Sequence, residues 1–243
     1  MRLFGLIGYP LTHSFSKNFF AEKFKKERIR DCSYENFQLP TIDLLPEILN
    51  ENSGLEGLNV TIPYKESVLP FLAEANNIVK QVRACNCIRI LDKRLIGYNT
   101  DVLGFERSLL NNLKPWHDHA LILGTGGAAK AVGFVLQKMG IPWQYVSRKP
   151  STKSLDYQQI TEQTINSNKL IINTTPVGMF PHKDELPPLN YNAITNEHFL
   201  FDLIYNPAET LFLKKGRERK ALVQNGYDML VYQAEESWKI WNE

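Results

Sequence analysis

The chain has 243 residues and 43% hydrophobic content, enough for one large domain or two modest ones with true cores. Its 28 Lys and Arg against 26 Asp and Glu leave a formal charge of +2, without the basic footprint of a nucleic-acid binder or a membrane-surface protein. No apolar run approaches the roughly 18 residues of a membrane span.

Residues 3–7 form a short apolar run closed by Gly8-Tyr9-Pro10, a strand followed by a turn. It reads as a strand and not as a charged leader, so no signal peptide is expected. Ser16 then offers a cap to a helix with Phe19, Phe20 and Phe24 on one face. Residues 34–39 are a second strand and 41–49 a helix. Residues 58–62 read as a buried strand, stopped by Pro63, which has no backbone donor to continue a ladder. Tyr64-Lys65-Glu66-Ser67 begins a helical turn, where a cation faces the positive end of the helix dipole at a cost of roughly 0.3–1 kcal/mol. Lys65 is either a solvated side chain or a functional one, held at the mouth of a strand where α/β proteins bind ligands. Helices continue to about residue 80, and strands at 87–91 and 95–98 flank Asp92-Lys93-Arg94 as a hairpin. Asp101 opens a helix through 113, as its N-cap, as a functional carboxylate, or as both.

After Pro115 the alternation restarts. His117-Asp118-His119 has no Cys, Asp or Glu cluster to complete it, so it reads as a loop and no metal is expected. Cys32, Cys85 and Cys87 cannot all pair and lack zinc spacing; they read as reduced thiols in a cytosol. Residues 120–123 are a buried strand. Gly124-Thr125-Gly126-Gly127-Ala128-Ala129 then matches the G-x-G-x-x-G/A dinucleotide fingerprint, between that strand and a helix over 127–139. The first glycine permits the turn, the second lets the backbone approach a pyrophosphate, and the small third residue lets helix and strand pack closely. At the end of the next strand, 143–146, an NAD enzyme would carry an acid for the ribose hydroxyl. Ser147-Arg148-Lys149 stands there instead, two cations that point to a 2′-phosphate and hence NADP; the bland alternative is an ordinary basic loop. Strands at 169–173, 199–203 and 221–224 and a helix over 228–241 follow. Such alternation implies parallel sheets with covered faces, in two α/β units joined near residue 101.

The order of motifs resembles the shikimate dehydrogenase family nearly end to end. Gly8-Tyr9-Pro10-Leu11-Thr12-His13-Ser14-Phe15-Ser16 is similar to its G-x-P-x-x-H-S-x-S segment, and Asn59-Val60-Thr61-Ile62-Pro63-Tyr64-Lys65 to its N-V-T-x-P-x-K. Ala84-Cys85-Asn86, Asn99-Thr100-Asp101, the stretch from Asn173 to Met179, and Asp202-Leu203-Ile204-Tyr205-Asn206-Pro207 follow, with Asn225-Gly226 and Gln233-Ala234 closing the pattern. Lys17 departs from the family's usual proline, and Ser147 and Lys149 from its usual asparagine and threonine.

The resemblance implies a substrate domain over 1–101 with a mostly parallel sheet, completed by a C-terminal helix over 226–243, and a Rossmann-type NADP domain over 102–225, with the active site in the cleft between them. It implies reversible NADPH-dependent reduction of 3-dehydroshikimate, with Lys65 and Asp101 catalytic. Ser14, Ser16 and Thr61 would hold the substrate carboxylate, with Asn86, Asp101, Tyr205 and Gln233 around it and the ring hydroxyls. The cofactor would meet Gly124, Gly126, Gly127, Ala128, Ala129, Ser147, Arg148, Lys149, Thr174, Leu203 and Gly226. A cytoplasmic monomer or homodimer without nucleic-acid or membrane partners is expected. Two rival readings are a quinate/shikimate dehydrogenase of broader range and a non-catalytic sensor. The sensor should have lost Lys65 or Asp101, and this chain retains both. Folate-linked dehydrogenases of related architecture would not require the S-x-S segment or N-T-D.

Overall fold

In the computed structural model, which describes residues 1–11, 15–149 and 151–243, the chain divides into two compact units. The first comprises Met1–Leu103 and Gln233–Glu243, the second Gly104–Tyr232.

Strands and helices of the first unit follow in order: β1 (Arg2–Gly8), α1 (Phe15–Lys26), β2 (Cys32–Gln38), α2 (Leu45–Glu51), β3 (Leu55–Val60), α3 (Tyr64–Ser67), β4 (Glu74–Ala75), α4 (Asn77–Val82), β5 (Cys87–Leu91) and β6 (Arg94–Tyr98). Their sheet has the order β2-β1-β3-β5-β6-β4. β1 is parallel to both β2 and β3, while β5 runs antiparallel to β3 and β6. The hairpin turn is Asp92-Lys93 alone, because Leu91 pairs with Arg94 and both turn residues have positive φ. The strand before Pro63 starts earlier than the apolar run suggested and ends at Val60; Thr61 already turns, accepting the Tyr64 amide. The two-residue β4 was not expected, being too short to show an alternation.

Ser16 lies inside α1, not ahead of it, and faces inward. One side of the sheet packs Phe4, Phe20, Phe24 and Tyr34 with Ile240 and Trp241. The Trp241 indole donates to the Ile88 carbonyl at 3.0 Å, which builds Trp241 into this core. Lys23 is buried there with its ammonium 2.7 Å from both Glu27 and Glu235.

Helix α5 (Asp101–Leu110) and the second unit's elements follow: β7 (Ala120–Leu123), α6 (Gly127–Lys138), β8 (Trp143–Val146), β9 (Ser154–Leu155), α7 (Glu162–Ser167), β10 (Leu170–Asn173), β11 (Phe199–Asp202), α8 (Leu211–Glu218), β12 (Leu222–Gln224) and α9 (Tyr227–Trp241). All six strands are parallel, in the order β12-β11-β10-β7-β8-β9. This is the doubly wound dinucleotide-binding order, reversing direction between β7 and β10. β7, β10 and β11 are buried along their whole length, as covered parallel strands must be. The division between units falls inside α5 and α9, a few residues beyond the helix starts where the sequence suggested the joints.

Candidate active site

In an open α/β sheet, loops diverge where the strand order reverses, and the crevice they leave outside the strand ends takes ligands. In the first unit that point lies between β1 and β3. Their ends are tied together by the Thr61 amide to the Ile7 carbonyl (2.9 Å) and the Tyr9 amide to the Ile62 carbonyl (3.1 Å). Tyr9 and the turn carrying Thr61 and Lys65 therefore lie side by side at the strand ends. Ser14, expected to hold the substrate carboxylate, lies outside the described residues.

Lys65 sits in the four-residue α3, too short to develop a large helix dipole. Its ammonium donates to Asp101 Oδ2 at 2.7 Å, and the two side chains are 20% and 10% exposed, so the pair is mostly shielded while one end stays accessible. Asp101 is not spent as a cap: the Val102 amide is received by Asn99 Oδ1 at 3.2 Å. The backbone under the lysine is fixed as well, its carbonyl accepting the Cys85 amide at 2.7 Å.

Asn86 and Gln233 are brought together beside that pair. Asn86 Oδ1 accepts the Thr100 amide (2.6 Å), and its Nδ2 donates to Thr100 Oγ1 (3.0 Å) and Gln233 Oε1 (3.4 Å). Behind them runs a buried polar chain in which Asn59 and Ser16 belong to motifs of the sequence while Tyr34 and Ser237 do not. The Tyr34 hydroxyl donates to Asn59 Oδ1 (2.8 Å), and Asn59 Nδ2 to Ser237 Oγ (2.9 Å). Ser237 donates to the Gln233 carbonyl (2.9 Å), and the Ser16 side chain bonds to Tyr34. Burial pushes the Tyr34 phenol well up, so it stays a neutral donor. The available signal was faint: Ser237 follows Gln233 by one helical turn, hence on one face.

In the second unit the reversal point carries the glycine loop. Gly124 has φ +111°, and a Cβ there would lie 2.6 Å from Thr174 Oγ1, so only glycine fits. A Cβ on Gly126 would meet nothing within 4 Å and its φ is ordinary, so neither packing nor conformation asks for glycine. Open space in front of a backbone at a helix N-terminus suits a phosphate, and the residues fit a dinucleotide. Ala129 is fully buried under α6, as the third small position of the fingerprint requires, while Gly127 and Ala128 start the helix half-exposed. Thr174 Oγ1 donates to the Leu123 carbonyl at 2.7 Å, holding the β10 loop against the glycine loop. Arg148 and Lys149 are exposed after β8, and Ser147 Oγ accepts the Lys149 amide at 3.2 Å, which shapes their turn. Leu203 and Tyr205 are half-buried in the loop after β11, and Gly226 is buried against Leu203. Among the described residues no group of His, Cys, Asp and Glu is placed to hold a metal ion, and no helix is long and apolar enough to cross a membrane.

Residues 6–88 match the family described as the shikimate dehydrogenase substrate binding domain. The shikimate dehydrogenase (NADP(+)) of Clostridium beijerinckii is 39% identical, covering 100% of this chain and 93% of its own length. The crystal structure of the Thermus thermophilus shikimate 5-dehydrogenase in complex with NADP(H) and shikimate superposes with a TM-score of 0.88 at 29% identity, over 99% of this chain and 93% of that one. A quinate dehydrogenase from Corynebacterium glutamicum in complex with NAD gives 0.86 at 27% identity, over 99% and 93%.

Proposed function

The chain belongs to the shikimate dehydrogenase family, and from that premise we propose that it catalyses the reversible NADPH-dependent reduction of 3-dehydroshikimate to shikimate, in the pathway to aromatic amino acids. The observation that carries the reading is the Lys65–Asp101 pair at 2.7 Å. It supplies a shielded cation, oriented by a carboxylate, at the reversal point of the first unit's sheet. NADPH, when bound, supplies the hydride.

Lys65 polarises the ketone as the ammonium and delivers the proton that the developing alkoxide takes up; in the oxidative direction the neutral amine accepts it back. Asp101 holds the lysine in place and bonds the same hydroxyl. Ser14, Ser16 and Thr61 serve as the carboxylate's contacts, with Asn86, Tyr205 and Gln233 for its surroundings and the ring hydroxyls; hydroxyls and amides both give and accept, as a polyol requires. Gly124, Gly126, Gly127, Ala128 and Ala129 would cradle the pyrophosphate, and Arg148, with Lys149 and Ser147, the 2′-phosphate. Thr174, Leu203 and Gly226 complete the cofactor contacts. This reading makes the substrate domain residues 1–101 with 226–243, the NADP domain 102–225, and the protein a cytoplasmic monomer or homodimer.

The test is steady-state oxidation of shikimate and quinate with NADP and NAD. Turnover of shikimate with NADP well above the other three combinations is the expected result. A preference for quinate with NAD would move the chain to the quinate branch, and no turnover in any combination would defeat the catalytic reading.

A further inference from the structure

Asp202 is fully buried at the C-terminal end of β11, opposite Asn173 in the register with β10. Its Oδ1 accepts the Ile204 amide (3.0 Å) and Asn173 Nδ2 (3.0 Å), and its Oδ2 accepts the Thr210 hydroxyl (2.6 Å). No cation is among these partners, so the carboxylate is ringed by neutral donors. Burial accordingly pushes its carboxyl up to about 7. Tyr191 is the titratable group that feels its charge, a phenol pushed up first by its own burial. An amide or apolar residue would sit here at lower cost, which asks what the carboxylate is for.

The bonds lead outward to several loops at this end of the sheet. Asn173 Oδ1 receives the Thr175 amide (3.1 Å) and hydroxyl (2.7 Å), fixing the loop that begins at Thr174. Thr174 in turn rests on the glycine loop through the Leu123 carbonyl. Thr210 caps α8, and between it and Asp202 the chain carries Leu203 and Tyr205. The Ile204 carbonyl accepts the Gly226 amide at 3.1 Å, and a Cβ on Gly226 would lie only 2.1 Å from the Leu203 oxygen. The carboxylate bonds the ends of the β10 and β11 loops directly, and the glycine loop and Gly226 join them through Thr174 and Ile204; each of the four carries residues in the proposed cofactor set.

We propose that Asp202 is a positioning residue for NADP(H), its carboxylate holding the loops after β10 and β11 in the register that the dinucleotide requires. This rests on the functional reading above. It differs in placing a determinant of cofactor affinity one layer beneath the loops, on a residue that does not face the ligand.

The test is titration of the full-length protein with NADP+, followed by kcat and both KM values for shikimate oxidation, in wild type, Asp202→Ala and Asp202→Asn. Asp202→Ala strands three donors, and displaced loops should weaken NADP+ by about 10- to 100-fold while the KM for shikimate moves less than about twofold. Asp202→Asn keeps an acceptor for Ile204 and Asn173 and turns the bond to Thr210 round, so its loss should be smaller, about 3- to 10-fold. NADP+ affinity within about twofold of wild type in folded Asp202→Ala overturns the proposal, as does a loss shared equally by both substrates. If the alanine variant does not fold, unchanged NADP+ affinity in Asp202→Asn overturns it instead. A wild-type protein that neither binds NADP+ nor oxidises shikimate defeats the functional reading, a different result.

Discussion

Both units present their candidate residues at the reversal point of their own sheet, yet they are built in opposite ways. The first unit works with side chains: an ion pair, Lys65–Asp101, set on a buried amide and hydroxyl chain running from Tyr34 to Asn86. The second offers backbone at its glycine loop, brought close by Gly124 and Gly226 and left open at Gly126, with Asn173, Thr174 and Asp202 bonded behind the loops. A polyol with a carboxylate has distinctive atoms that side chains can sort. A pyrophosphate is a diffuse anion that amides at a helix N-terminus meet well. The two halves should therefore fail differently when altered.

The largest effect belongs to the ion pair. Lys65→Ala should lower kcat by roughly 10²–10⁴, the range for a lost acid–base group, with NADP+ affinity unchanged. Asp101→Asn should also damage turnover, because an amide lacks the charge that orients the lysine. Asn99, not Asp101, accepts the Val102 amide, so a lost cap there does not account for that loss, and an unchanged urea midpoint in Asp101→Asn would set aside the carboxylate's part in the first helical turn. Near-wild-type kcat in Asp101→Asn would remove the carboxylate from the chemistry.

The next tests the buried charge of the second unit. The folded-state value for Asp202 lies above the ordinary 3.8, at about 7. Its contribution is thus fully present below about pH 4 and lost as pH rises towards 7, because the unfolded chain ionises first. A rise of that size corresponds to on the order of 4 kcal/mol. Burial lowers the pKa of His117 and His198, which works the other way, costing stability as pH falls through about 6.5. Urea unfolding of wild type and Asp202→Asn from pH 4 to 8 separates the two: the stability difference should grow in favour of asparagine as pH rises. Parallel curves would show that Asp202 does not titrate in this range.

Arg148 comes third. A guanidinium grips a 2′-phosphate through two parallel N–H bonds. Hydrogen bonds to charged groups contribute about 1.5–3 kcal/mol, so Arg148→Ala should weaken NADP use by roughly 10- to 150-fold and leave NAD use nearly unchanged. The measurement is kcat/KM for shikimate with each cofactor. A wild type that uses both within about threefold, under 1 kcal/mol, would mean this loop does not read the phosphate.

What the sequence displayed follows the same division. Strand–helix alternation announced two α/β units, and the glycine loop was legible because backbone needs leave marks in composition. Lys65 was open to two readings as a cation at a helix start, a cost that the four-residue α3 scarcely imposes, and its place in the motif from Asn59 was what singled it out. The supports were only partly legible: Asn59 opens the motif that ends at Lys65, but its partners Tyr34 and Ser237 lie 25 and 178 residues from it. Nothing local says that such polar residues are buried together. Asn173 and Asp202 likewise became partners only through the β10–β11 register. Short β4 and β9 escaped because two residues carry no period.

The smallest effect, and the sharpest separation of the two halves, is expected from Ser237. Its fully buried hydroxyl donates to the Gln233 carbonyl and accepts from Asn59, with Thr100 Oγ1 3.3 Å away. Among the described residues, Ser237→Ala leaves Asn59 Nδ2 with the Asn86 carbonyl alone, at 3.3 Å. An unmet buried donor costs about 1–3 kcal/mol of stability, and a lower urea midpoint should show it. Part of that strain falls on Gln233 and Asn86, so the KM for shikimate should rise about 3- to 10-fold, near 1 kcal/mol. NADP+ affinity should stay at the wild-type value, because the bonds named here all lie within the first unit. Ser237→Thr keeps the hydroxyl and should recover the shikimate KM if its methyl is accommodated against Cys87. A Ser237→Ala protein of lower stability and unchanged shikimate KM would make this network a support of the fold alone. Equal losses for shikimate and NADP+ would erase the contrast between a unit that binds with side chains and one that binds with backbone.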